Sequence, residues 1–459
     1  MSAVWVESPI SGFDTASLTR LAQTLEVCQA DWLVLYPTGT RLQPALAAVL
    51  TAAVADRPDV DLFYAEEQRP DHPTSSLPAK PDWNPALLLA YDYVRWPLLV
   101  RREALLRLGG IDPQAGAALG VELLLRAWRG GMAIARLPQP LLQIGPDYGP
   151  TSAEVLAPVL RQHLAACSPD LTLRPGRRPQ TWEVRRTWAD PPPVTLVVPT
   201  CQTPRLDGQA GPQIRQLLTS LECSSWPLER LTVLIGDDAP GDDYLDGDWP
   251  FTVRRLRTER PAGAPFNYAA KMNRLWRAAT DEYLVLLNDD IEIRSPDWLE
   301  ALLTFLWEPG VGGVGARLLF PDGRIQHAGM AGGVLNTVAH PWYGWKGDRP
   351  TYGHWAEVHR DWSMVTGAVF ATRRSLLEQV NGFDEQLSLE YNDVDLCLRL
   401  GLLGYRIVCT PHAELIHHES ISRGESRPRG QEILRFRRRW QELLVADSQW
   451  HPGLPDSWF

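Results

Sequence analysis

Four short stretches hold residue types that could do chemistry. Asn288-Asp289-Asp290 closes an apolar run, Tyr283–Leu287. Carboxylates crowded at the end of a buried strand, with no basic neighbour, repel one another and favour a cation. Mg2+ or Mn2+ would take one or two of them together with phosphate oxygens. The same residue types also favour a plain strand-to-loop turn. Asp237-Asp238 closes the run Leu231–Gly236 and suits either a turn or a carboxylate that accepts hydrogen bonds from a nucleotide base. In Glu390-Tyr391-Asn392-Asp393-Val394-Asp395, Asp393 could serve as a general base, while Asn392 or Asp393 could equally cap a helix. His417-His418 ends a strand-like stretch from Pro411 and is either structural or a metal ligand.

The elements that must position these residues are legible as apolar patterns. Val194–Val198 is a further buried-strand run, ending at Pro199-Thr200, and Ile214, Leu217, Leu218 and Leu221 recur at helical spacing. Strands alternating with helices predict an α/β fold with a mainly parallel sheet, in which ligands bind off the carboxyl ends of strands. Both acidic clusters sit at such ends. The 459 residues imply two or three domains at roughly 150 residues each. Hydrophobic residues at 44% and charged residues at 22% exclude wholesale disorder. No apolar run reaches the ~18 residues of a bilayer span, and Met1–Gly12 has no basic region of a secretory signal. A net charge of −10 argues against nucleic acid as a partner. Six cysteines without a CxxC pair predict reduced thiols and a cytoplasmic protein. Some of the 19 tryptophans serve the core, and an excess beyond core needs would suit a protein that stacks sugar rings on indole faces.

The ordered set of motifs is more specific than any member. It runs Pro199-Thr200, Asp237-Asp238, Phe266-Asn267-Tyr268-Ala269-Ala270-Lys271-Met272-Asn273, Asn288-Asp289-Asp290, Gly367-Ala368-Val369-Phe370, Gly382-Phe383-Asp384, then Asn392 to Arg399, Gly404-Tyr405-Arg406 and Pro411 to Ser420. Over residues 194–459 this resembles the family 2 glycosyltransferases of GT-A fold, and among them the rhamnosyltransferase-like members of O-antigen and rhamnan assembly. The resemblance implies an inverting, metal-dependent enzyme. It would move a sugar from a nucleotide-diphosphate donor such as dTDP-rhamnose to a hydroxyl of a glycan or glycolipid acceptor. It implies Asp290 and His417 as ligands of Mn2+ or Mg2+, with His418 as the alternative to His417. Asp393 would be the catalytic base. Pro199, Thr200, Asp237, Asn273, Asn288, Asp289 and Arg423 would line the nucleotide site. Asn288 stands where the family has the first Asp of its DxD motif, and Asn392 stands where it has a Glu, which puts that Glu's role in doubt here. Segment 321–366 would lie on the acceptor side, with Trp342, Trp345 and Trp362 stacking on sugar or else packing the domain. The rival readings are a sugar nucleotidyltransferase, which lacks support because no glycine-rich loop follows Thr200, and a non-catalytic glycan-binding scaffold.

The N-terminal part looks like a worn copy of the same design. Trp32–Tyr36 mirrors Tyr283–Leu287, and Arg101-Arg102 with Gly110-Ile111-Asp112 mirrors Arg373-Arg374 with Gly382-Phe383-Asp384. In that register Asn288 becomes Pro37, Asp290 becomes Gly39, Asp393 becomes Gly120 and His417 becomes Ile144. Too few residues precede Trp32 to supply two earlier strands. The expected organisation is a degenerate, inactive glycosyltransferase-like domain at 1–175, a Pro/Arg-rich linker at 176–193, a catalytic domain at 194–425, and a helical tail at 426–459 packed on it. Peripheral association with the inner face of a membrane and a homodimer are the assembly states this reading allows.

Overall fold

The computed structural model describes residues 5–68, 79–145, 148–205, 208–258, 265–334, 337–418, 430–445 and 447–459. Arg423, expected beside the nucleotide, lies outside them. The chain divides into two compact units, Met1–Val184 with His451–Leu454, and Arg185–Trp450 with Pro455–Phe459. The boundary falls within the segment read as a linker. Part of that segment is regular, because Trp182–Arg186 is a strand paired with Leu171–Pro175. Its alternating Trp182, Val184 and Arg186 were obscured by the surrounding arginines and prolines.

In the second unit the strands are β1 (Val194–Thr200), β2 (Leu231–Asp237), β3 (Thr252–Arg257), β4 (Tyr283–Leu287), β5 (Ile291–Ile293), β6 (Val311–Leu319), β7 (Ile325–His327), β8 (Arg360–Trp362), β9 (Val369–Arg373) and β10 (Arg406–His417). They form one sheet in the order β3-β2-β1-β4-β9-β6-β10-β5, with β7 on β6 and β8 on β10. Strands β3, β2, β1 and β4 are parallel. Strand β9 reverses direction, and β6 and β10 run parallel to each other and antiparallel to β9. The carboxyl ends of β1, β2, β4, β6 and β10 therefore share one edge. Every residue of β1 is buried, as its unbroken apolar run requires of a strand covered on both faces.

Helix α1 (Gln213–Leu221) buries Ile214, Leu217, Leu218 and Leu221 on its sheet face. Helix α2 (Tyr268–Ala278) is capped by Asn267, whose side chain accepts the Ala270 N–H at 2.8 Å. Helix α3 (Trp298–Leu303) and α4 (Arg374–Gln379) are short, and α5 (Asn392–Leu402) starts from Tyr391 at φ 61°. The last helix, α6 (Gly430–Val445), buries Phe436, Trp440 and Leu444. Trp440 donates to Asp395 at 3.0 Å, and Tyr391 stacks on Phe436 with centroids 4.4 Å apart, so the tail is packed on the start of α5.

The first unit has a six-stranded sheet in the order Trp5–Ile10, Trp32–Pro37, Leu98–Arg101, Leu62–Gln68, Ile134–Gln143 and Arg41–Leu42. Among the described residues one strand, Trp5–Ile10, precedes Trp32 in sequence. Two neighbouring carboxylates in this sheet, Glu66 and Glu67, are held in ion pairs. Glu67, fully buried, pairs with Lys80 and with Arg95 at 3.2 Å, and Glu66 pairs with Arg136 at 2.9 Å. Burial pushes the Glu67 carboxyl up and the Lys80 ammonium down, and their mutual attraction opposes both shifts.

Candidate active site

The shared edge of the second sheet gathers the acidic motifs. β4 ends at Leu287, and the next amide, Asn288 N–H, donates to Ala368 O at 3.0 Å. Asp290 is buried, at 2% exposure, and its carbonyl accepts the His418 N–H at 3.0 Å. That register turns His417 inward, with Nε2 3.0 Å from Asp290 Oδ1. The other ring nitrogen, Nδ1, lies 2.5 Å from Gln326 Oε1. His418 points elsewhere, with Nε2 2.9 Å from Glu292. Of the two rings, His417 is the one that reaches Asp290, and His418 is paired with Glu292. Asp289 accepts from Thr200 Oγ1 at 2.6 Å. Burial first, and Asp290 beside it second, push the Asp289 carboxyl up to about 7.

An oxygen from Asp290 and an imidazole nitrogen from His417 suit Mn2+ or Mg2+ with phosphate oxygens completing the shell. No group of three or more His, Cys, Asp or Glu positioned for a metal occurs among the described residues. Two protein donors leave coordination positions for a substrate, which is what an ion that works on a diphosphate needs.

Asp237, at the end of β2, is fully buried and heavily committed. Its Oδ1 accepts Ala239 N–H at 2.9 Å, and its Oδ2 accepts from Gln202 at 2.9 Å, Tyr244 at 2.8 Å and Arg255 at 2.6 Å. The groups that border the adjoining cleft of about 440 Å³ include Gln202, Arg215 and Tyr244. Asp238 is tied to Lys271 at 3.0 Å and to Thr258. Lys271 also donates to Thr200 O at 2.7 Å, so one buried ammonium joins the ends of β1 and β2.

Three expected nucleotide residues have other work. Pro199 is buried within β1, and the Thr200 hydroxyl is spent on Asp289. Asn273 is enclosed by Phe383 N–H at 2.8 Å, Phe383 O at 2.9 Å, Glu385 at 3.0 Å and Trp276 at 2.9 Å. It clamps α2 to the Gly382-Phe383 turn, where a Cβ on Gly382 would fall 2.2 Å from Asn273 Oδ1. Its carboxamide is therefore a structural lock and not a nucleotide ligand.

Asp393 lies in the first turn of α5. Its Oδ2 accepts Gly367 N–H at 2.7 Å and its Oδ1 accepts Val394 N–H at 2.8 Å. Since Gly367 precedes Ala368, whose carbonyl holds Asn288, the carboxylate sits one residue along the edge from the acidic motif. Asn392, in place of the family's Glu, is buried and donates to Leu389 O at 3.0 Å.

The tryptophans of the acceptor-side segment divide. Trp342 and Trp362 are 0% and 2% exposed and pack with Trp355 and Trp450 at centroid distances from 5.8 to 6.2 Å. The Arg360 guanidinium lies 3.9 Å from the Trp355 ring and 4.2 Å from the Trp362 ring. Indoles so enclosed have no face to offer a sugar, which corrects the stacking expectation for Trp342 and Trp362. Trp345 is half-buried and carries Arg349 over its ring at 3.6 Å. Sequence reasoning missed Gln202, Tyr244, Arg255, Lys271 and Gln326. A basic residue in each of FNYAAKMN and β3 was the available signal for Lys271 and Arg255, and nothing in the pattern marked the others.

The profile of the family described as "Glycosyltransferase like family 2" matches residues 252–442. The chain is 34% identical over 441 residues to the "O-antigen biosynthesis protein RfbC" of Myxococcus xanthus, covering 92% of this chain and 33% of that protein. It is 28% identical over 464 residues to an uncharacterised protein of Sinorhizobium fredii, covering 94% of this chain and 49% of that one. The chain thus spans a third to a half of the length of these two relatives. The "N-acetylglucosaminyl-diphospho-decaprenol L-rhamnosyltransferase" of Mycobacterium tuberculosis is 30% identical over 239 residues, which cover 47% of this chain and 74% of the relative. With the motifs in order along one sheet edge, the chain belongs to the family 2 glycosyltransferases of GT-A fold, in their rhamnosyltransferase-like branch.

Proposed function

We propose that the protein is an inverting, metal-dependent glycosyltransferase. It moves rhamnose from a dTDP-linked donor to a hydroxyl of a growing surface glycan, working on a lipid-linked acceptor at the inner face of the membrane. The observation that carries this reading is the convergence of Asp290, His417 and Asp393 on the edge where the parallel strands end. The names of the relatives support the sugar and the acceptor class. No helix among the described residues is long and apolar enough to cross a membrane.

Two backbone N–H groups fix the Asp393 carboxylate. It accepts the proton of the acceptor hydroxyl as that oxygen bonds to the anomeric carbon. The bond from that carbon to the diphosphate breaks on the opposite face, so a single base gives inversion. Asp290 and His417 would hold Mn2+ or Mg2+, which would supply the charge neutralisation a departing diphosphate requires. Thr200 holds Asp289 beside this site, and Gln202, Tyr244 and Arg255 shape the base end around Asp237.

A panel of dTDP-rhamnose, UDP-sugars and GDP-mannose, each with Mn2+, Mg2+ or EDTA, tests the reading by thermal shift and donor hydrolysis. The expected result is stabilisation by dTDP-rhamnose only when metal is present, since a bound ligand raises apparent stability by mass action. Stabilisation undiminished by EDTA contradicts the metal requirement, and preference for another donor contradicts the sugar.

A further inference from the structure

Two imidazoles near the catalytic carboxylate have had no part in the chemistry so far. His327 ends β7 at 1% exposure, and His340 follows the strand Thr337–Ala339. Their Nδ1 atoms are 3.0 Å apart, with the rings edge-to-face at 73°. Two nitrogens at that distance share one hydrogen, so one donates and the other accepts. The direction follows from His327's other nitrogen. Nε2 faces the N–H groups of Gly329 at 3.3 Å and Thr366 at 3.5 Å, and backbone N–H groups only donate. His327 Nε2 is therefore bare. Burial holds His327 well below the ordinary histidine range and takes His340 down to about 4, so each ring carries one proton. The His327 proton is on Nδ1 and is given to His340 Nδ1, which leaves the His340 proton on Nε2.

The pair is anchored to the base. Thr366 N–H holds His327, and the next amide, Gly367 N–H, holds Asp393. The strand that leads to His340 reaches the same region, because Thr337 Oγ1 lies 3.3 Å from the Tyr391 hydroxyl, two residues before Asp393. We propose that His340 is a positioning residue of the acceptor site. Its tautomer is set by His327, and its Nε2–H donates to an oxygen of the acceptor sugar beside the hydroxyl that Asp393 deprotonates. This rests on the glycosyltransferase reading above.

The test has two arms on the full chain. Long-range proton–nitrogen NMR of histidine-labelled protein, assigned with His340→Gln and His327→Gln, should show Nδ1–H on His327 and Nε2–H on His340. The reverse tautomer on either ring overturns the proposal. In transfer assays His340→Ala should raise the acceptor KM by about tenfold, the effect of one lost hydrogen bond, with the nucleotide Kd unmoved. His340→Gln, which keeps an N–H at similar reach, should recover most of that loss. An acceptor KM changed by less than about twofold, or acceptor KM and nucleotide Kd rising together as a structural defect would cause, overturns it. A wild-type protein that transfers no sugar to any acceptor overturns the function proposed above and the acceptor role with it, whereas an active wild type with an indifferent His340→Ala overturns this inference alone.

Discussion

In the first unit Trp32 pairs with Arg101 and Leu35 with Leu98, while in the second Tyr283 pairs with Arg373 and Leu286 with Phe370. The remaining strands follow in the same order and sense, so that Leu62–Gln68 beside Ile134–Gln143 repeats β6 beside β10. One clamp also recurs. Arg126 pairs with Glu122 and donates to the carbonyls of Leu108 and Gly110 at 2.8 and 2.9 Å. Arg399 pairs with Asp395 and donates to those of Val380 and Gly382 at 2.7 and 2.6 Å. A charged group kept in both units, one with the chemical residues and one without, serves the fold.

The units differ where the chemistry would be. Among the described residues the first sheet ends at Trp5–Ile10, whereas β1 of the second is followed outward by β2 and β3, which bring Asp237 and Arg255. At the position of Asp393 the first unit has Gly120, and a Cβ there would fall 3.2 Å from the Trp96 ring. An indole thus fills space that in the second unit holds a carboxylate on two N–H groups. Core burial fixes the strand order, and the edge residues are free to change without unmaking it.

The largest expected effect is on the base. Asp393→Asn should lower transfer by about 10²- to 10⁴-fold with donor Kd retained, measured by steady-state kinetics and calorimetry. Parallel loss of donor binding would move Asp393 from the chemistry to the nucleotide site. Next in size are two stability effects. Glu67→Gln strips Lys80 of its buried partner and should cost about 3–5 kcal/mol in urea unfolding. A change below about 1 kcal/mol would mean the pair tolerates separation and is not what holds that part of the first sheet. Trp362→Ala should cost about 3–5 kcal/mol as a core truncation, with the acceptor KM of the folded fraction unchanged. A selective rise in acceptor KM would restore this residue to the acceptor site. The smallest is Gly120→Ala, an overpacking against Trp96 expected to cost about 1–3 kcal/mol by thermal unfolding. No cost would show that Trp96 is loosely held and does not block that position.

Much of this comparison was legible in the chain itself. The runs at Val194, Leu231 and Tyr283 give strands because both sheet faces are covered, and the face of α1 follows its helical spacing. The constant offset between the halves located Gly120 and Ile144 against Asp393 and His417. What stayed hidden depends on contacts between distant segments. Gln202 reaches Asp237 across the mouth of two loops, and Gln326 meets His417 only because β7 folds back on β6. For Trp342 and Trp362 stacking and packing stayed open, because tryptophan content does not tell an enclosed indole from a sugar platform. Asn273 has a binding residue's chemistry, and only the closeness of the Gly382 turn shows it consumed.

Nucleotide recognition is expected to belong to the edge built around Asp290 and His417 and to nothing in the first unit. Calorimetric titration of dTDP into the full chain with Mn2+ tests it directly, comparing the wild type with Asp290→Ala. The expected result is metal-dependent binding in the wild type, and none in the variant at an unchanged melting temperature. Binding of dTDP by Asp290→Ala with wild-type affinity in Mn2+ would contradict it.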